Sequence, residues 1–168
     1  SLRFDFKTQS NLVRKFSDSF TAGKKIRVTT ELGTDIEIDI DGRIGNFCPG
    51  YVENAGDLGS PPDIEANVSP VETGSNGIVI IDGSITHPSI GLLNSPVKLN
   101  IENGFIIDFE SEEKSYLDAL DLLFENIGSK RRILAECGVG LNPEAKLTGT
   151  MLTDEGALGC MHFGFGSN

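Results

Sequence analysis

Between Ser10 and Phe20 the apolar residues Val13, Phe16 and Phe20 recur at helical spacing, which predicts a short amphipathic helix. Ser10 or Asn11 is placed to cap its first turn, and Gly23 stands just beyond its end. A strand is predicted over Ile26 to Thr30. From Asp35 to Ile40 alternation is strict: Ile36, Ile38 and Ile40 share one side, and Asp35, Glu37 and Asp39 the other. That is the pattern of a strand with one face in water. Asp41-Gly42 closes it as a tight turn.

No period holds from Arg43 to Asn76, where Gly, Pro, Asn and Asp accumulate, so this stretch is expected to be a long functional loop. Gly77 to Ile81 reads as a buried strand followed by an Asp82-Gly83 turn. Val97 to Glu102 and Phe105 to Phe109 form a hairpin through Asn103-Gly104. Ser111 caps a helix with Glu112 and Glu113 in its first turn, Leu117, Leu120, Leu123, Phe124 and Ile127 on its inner face, and Gly128 at its close. Ile133 to Cys137 is a strand, and Gly138-Val139-Gly140 with Asn142-Pro143 opens a second loop. Thr153 caps a short helix through Leu158, and Met161 to Phe165 is a strand containing His162. This order predicts an α+β fold with a mixed sheet, two main helices and long glycine- and proline-rich loops, built as a single domain over residues 1–168.

Charge narrows the partners. Fourteen basic residues face 25 acidic ones, a net charge of −11, which argues against nucleic acid because that binding rests on neutralising phosphates. The one dense basic cluster, Lys130-Arg131-Arg132, follows a predicted helix end, where positive charge suits the dipole. The apolar run Ile78 to Ile81 falls far short of the ~20 residues of a membrane span, so no membrane partner is expected. No secretory signal opens the chain, and a start at Ser1 without methionine suggests that something upstream was removed. Three cysteines, Cys48, Cys137 and Cys160, show no CxxC spacing, which suggests neither a disulfide framework nor a thiolate zinc site and fits a cytoplasmic protein.

Walker, dinucleotide, nucleophile-elbow and HExxH signatures are all absent. Three residues stand out instead. Glu65 lies in the proline-rich stretch Pro61 to Pro70, where, taken alone, it reads as an exposed loop carboxylate. Glu136 ends an apolar strand, a place where an unpaired charge is costly, so a basic partner or a cation must compensate it. His162, between Met161 and Phe163, is either a buried histidine bonded to backbone or a metal ligand. His87, before Pro88, reads as an exposed loop residue. Two carboxylates and an imidazole make a donor set suited to zinc, cobalt or manganese.

Three segments resemble the aminopeptidase T family of metallo-aminopeptidases. They are Arg27 to Arg43 with Gly33-Thr34-Asp35, Pro62 to Ile85 with Glu65, Asn76-Gly77 and Asp82-Gly83, and the run AECGVGLNPEAKLTGTMLTDEGALGCMHFGFG from Ala135 to Gly166. The resemblance implies the catalytic domain of such an enzyme, with two divalent ions (Zn, Co or Mn), Glu65, Glu136 and His162 as metal ligands, and Glu136 also as a catalytic residue. Peptides are then the expected substrates, and a homodimer is left open. The family pattern further calls for an amino-terminal domain, and for a tyrosine, a second histidine and an aspartate beyond His162. The chain is therefore expected to fold, yet to be an inactive fragment that binds metal weakly or not at all, with one of the two glutamates holding a proton more readily than a free one.

Two other readings stand beside it. One is an iron(II) ring-cleaving dioxygenase resembling the 2,5-dihydroxypyridine dioxygenases, which look like relatives of the same fold. The other is a non-catalytic domain that keeps the fold without the site.

Overall fold

A computed structural model describes residues 5–125 and 132–166. The expected α+β class holds: the chain folds into antiparallel strand ladders with two long helices and one short one. Helix α1 spans Phe6–Ala22, earlier than periodicity predicts, because Asp5 rather than Ser10 or Asn11 caps it by accepting from the Lys7 N–H at 3.0 Å. Gly23 follows its end as expected, donating its N–H to the Ser19 carbonyl.

The larger sheet has the order β1-β2-β5-β8-β9, built from Lys25–Thr29, Asp35–Asp39, Ser75–Ile81, Val97–Glu102 and Phe105–Glu110. Its alternating strands bury Ile36, Ile38, Val79, Val97, Leu99, Ile101 and Ile106, while the other face carries pairs such as Arg27–Asp35 at 2.9 Å. Asn103 at φ 49° and Gly104 at φ 79° turn the predicted hairpin.

The smaller sheet has the order β11-β10-β4-β3, from Met161–Phe165, Leu134–Gly140, Glu65–Val68 and Asn46–Cys48. It corrects two expectations. The stretch from Arg43 to Asn76 is not one loop, since it contributes β3 and β4; and β10 continues through Gly138, Val139 and Gly140, expected as loop. A small pair, β6 (Ser84–Ile85) with β7 (Gly91–Leu92), completes the ladders.

Helix α1 packs on β3 and β4, burying Val13, Ser17 and Phe20. Arg14 lies over the Phe47 ring at 3.5 Å, and Ser17 Oγ donates to the Gly45 carbonyl at 2.9 Å. Helix α2 spans Lys114–Glu125 and buries Tyr116, Leu120 and Phe124, so the inner face is rotated to include Tyr116, whose hydroxyl accepts from the Asn94 N–H at 3.1 Å. Ile127, Gly128, Lys130 and Arg131 lie outside the described residues; Arg132 reaches the Phe124 ring at 4.9 Å. Helix α3 is the single turn Met151–Asp154, with Thr150 rather than Thr153 in the capping position. One continuous apolar core joins α1, α2 and both sheets. No helix among the described residues is long and apolar enough to cross a membrane.

Candidate metal centre

The two faces of the smaller sheet are chemically opposite. Cross-strand partners point to the same side, so the registers Cys137 with Val68 and Phe163, and Val139 with Ala66 and Met161, define an apolar face. Its reverse carries Cys48 and Asn46 on β3, Glu65 and Asn67 on β4, Glu136 on β10 and His162 on β11. Between these side chains the central strand places Gly138 and Gly140, and β11 places Gly164 opposite Glu136.

These glycines are the floor of the site. A Cβ on Gly138 would overlap the His162 ring, and one on Gly164 would meet the Glu136 side chain at 3.0 Å. His162 and Glu136 therefore each lie against a glycine of the neighbouring strand. A β-bulge between Leu134 and Glu136, with Ala135 as the extra residue, puts Leu134 opposite Phe165 on the apolar face, while Glu136, in step with Gly138 and Gly140, stays on this one.

Glu65, Glu136 and His162 converge, each offering one ligand atom, with those atoms all within 4.8 Å of one another. Glu65 Oε2 and His162 Nε2 stand 2.9 Å apart, and both side chains are largely buried, at 7% and 14% exposure. Despite this closeness neither atom is aligned for a hydrogen bond, and His162 Nδ1 is buried without a partner as well. Buried polar atoms are rarely left unsatisfied, and lone pairs aimed at a common point are what a cation takes up. No Lys or Arg among the described residues pairs with Glu65 or Glu136. The donor set, one imidazole and two carboxylates, fits a divalent ion.

The electrostatics agree. Burial, and then the Glu65 charge, push the Glu136 carboxyl above its ordinary value, with His162 pulling the other way. Burial lowers the proton affinity of His162, but the Glu65 contact and the charges of Glu136 and Glu155 more than offset it, so His162 is raised. Asp63 and Glu155 extend the acidic surroundings, each pushed up to about 7, chiefly by burial and further by Glu65. Cys48, cross-strand from Glu65, is pushed up to about 12 by burial and by the charges of Glu65, Asp63 and Glu136, which keeps it a thiol.

His87 lies outside the cluster, its Nδ1 accepting from the Ser89 N–H at 3.2 Å. Sequence reasoning missed Asn46, Cys48, Asp63, Asn67 and Glu155. The signal for Asn67 was present: Ile64-Glu65-Ala66-Asn67-Val68 alternates strictly and places Asn67 on the side of Glu65.

The family model for 2,5-dihydroxypyridine 5,6-dioxygenase, NicX, matches residues 5–164. The chain belongs to the NicX family. Two solved structures share the NicX-family fold seen here. The 2,5-dihydroxypyridine dioxygenase from Pseudomonas putida KT2440 superposes with a TM-score of 0.73 at 17% identity, covering 92% of this chain and 46% of that one. Wild-type AmpT from Thermus thermophilus superposes with a TM-score of 0.72 at 16% identity, covering 95% of this chain and 41% of that one. No curated protein matches in sequence. The aminopeptidase T expectation therefore holds as a likeness of fold, while the family is NicX. The chain spans less than half the length of either structure.

Proposed function

We propose that the protein is a metal-dependent, ring-cleaving dioxygenase of hydroxylated pyridines, to which this chain contributes the ligands Glu65, Glu136 and His162. The observation that supports it is the convergence of those three groups in a chain that the NicX family model spans almost end to end. Iron(II) held by imidazole and carboxylate ligands with open positions supplies dioxygen activation. The chain's own residues supply the rest. Glu65 Oε2 and His162 Nε2 present lone pairs from a buried wall. Glu136 is half-buried with no Lys or Arg paired to it among the described residues, which leaves its carboxylate to the metal as the third ligand.

A metal-dependent aminopeptidase is the second reading, supported by the oxygen-rich donor set and the AmpT-like fold. Dioxygen uptake with 2,5-dihydroxypyridine after iron(II) loading, set beside hydrolysis of an aminoacyl-4-nitroanilide with cobalt, zinc or manganese, separates the two. Uptake without hydrolysis is expected, and hydrolysis without uptake overturns the proposal.

A further inference from the structure

Asn46 on β3 and Asn67 on β4 are cross-strand partners on the face that carries Glu65. Asn46 Nδ2 donates to Asn67 Oδ1 at 2.7 Å, and Asn67 Nδ2 donates to Glu65 Oε1. The direction of this chain follows from its last member. A carboxylate oxygen accepts, so Asn67 must turn its NH2 group to Glu65; its carbonyl then faces Asn46, which must present NH2 in turn. The relay ends on Oε1, whereas Oε2 is the oxygen that approaches His162 and has no hydrogen bond.

The two oxygens of Glu65 thus have separate tasks. The terminal torsion of a glutamate is broad and roughly two-fold, and fixing one oxygen selects the direction of the other. Neighbours that hydrogen-bond a ligating carboxylate orient it for the metal.

We propose that Asn67, held in turn by Asn46, is a positioning residue that aims Glu65 Oε2 into the metal centre. The inference rests on reading Glu65, Glu136 and His162 as metal ligands. It names two residues that touch no metal themselves, one buried and one exposed at the edge strand β3.

Calorimetric titration of the chain with manganese(II) chloride tests it, using Asn67→Leu, which keeps the branched shape and removes both the donor and the acceptor, Asn46→Ala and the double variant. Asn67→Leu is expected to weaken binding about 10- to 100-fold, the usual range for a residue behind a ligand. Asn46→Ala is expected to weaken it about twofold to tenfold, the scale of one neutral hydrogen bond. In the Asn67→Leu background Asn46→Ala should have no further effect, because the relay is already cut. Native affinity in the Asn67→Leu variant, or losses that simply add in the double variant, overturns the relay. Should Asn67→Leu fail to fold, Asn46→Ala decides alone, since its side chain is exposed; unchanged affinity there refutes the proposal. The convergence of Glu65, Glu136 and His162 predicts measurable binding by the chain itself, against the expectation drawn from the incomplete family pattern, so absence of manganese binding to the folded parent chain overturns the metal reading and the relay with it.

Discussion

Gly138 and His162 face each other across the β10–β11 ladder, and the imidazole occupies the space where any side chain at 138 would stand. Replacing Gly138 with alanine must push the ring away from Glu65 or part the two strands. Overpacking of this kind costs typically about 1–3 kcal/mol. The expected outcome for Gly138→Ala is a lower melting temperature and a loss of metal affinity of at least about tenfold, while Gly42→Ala, at a turn where nothing lies within 4 Å, leaves metal affinity unchanged. Calorimetric titration beside thermal melts checks both.

Glu136→Gln should separate stability from function. Glu136 is half-buried near the Glu65 charge, and burial with that charge outweighs the pull of His162, so its ionised form is disfavoured in the metal-free protein. Removing that charge is expected to raise the stability of the chelated protein at pH 8 by about 0.5–2 kcal/mol while greatly weakening metal binding, the familiar trade between stability and site chemistry. Urea unfolding with chelator, paired with metal titration, tests it; destabilisation of the metal-free variant contradicts the charge argument.

Melting temperature should fall as pH rises from about 5 to 8 in the chelated protein. Asp63 and Glu155 are pushed up to about 7 from ordinary values of 3.8 and 4.5, so between those limits the folded state holds protons that the unfolded state releases. Their contribution is complete below the unfolded values and lost as pH climbs through about 7. His162 is also raised, and its contribution is likewise lost above its ordinary value of 6.5. Bound metal should flatten this dependence, because a cation stabilises the ionised carboxylates directly. A chelated protein more stable at pH 8 than at pH 5 contradicts the assignment.

Ile38 is fully buried in the larger sheet, and Ile38→Ala is expected to cost about 2–5 kcal/mol. Ile107, half exposed on β9, should tolerate Ile107→Ser within about 0.5 kcal/mol. Denaturant unfolding of both variants tests which face of that sheet is core.

The parts of the fold legible in sequence were those with long periods. The alternation of Asp35 to Ile40 and the Asn103-Gly104 hairpin came through because local pattern and tertiary burial agree there. Glu65, Glu136 and His162 were singled out by charge or imidazole within apolar surroundings, and the structure draws them together. Strands β3 and β4 were hidden because they are three and four residues long, and prolines at 62 and 70 disguise the alternation around Glu65. Gly138 and Gly140 read as loop residues in sequence, since glycine weakens a strand unless something needs its missing side chain. Here the His162 ring lies over Gly138, and the carbonyls of Glu155 and Ala157 crowd Gly140.

His162 belongs to β11, one of the two edge strands of its sheet, whereas Glu65 and Glu136 belong to the interior strands β4 and β10. An outer strand is bonded along one side and opens at lower free energy than the strands behind it. Withdrawing His162 from the cluster therefore needs only the fraying of one five-residue strand, not the unfolding of the domain. A bound ion acts as a staple on that edge. Amide hydrogen exchange along Met161–Phe165 should slow on metal loading far more than exchange along β4, and the rate of metal loss should follow the opening rate of this strand.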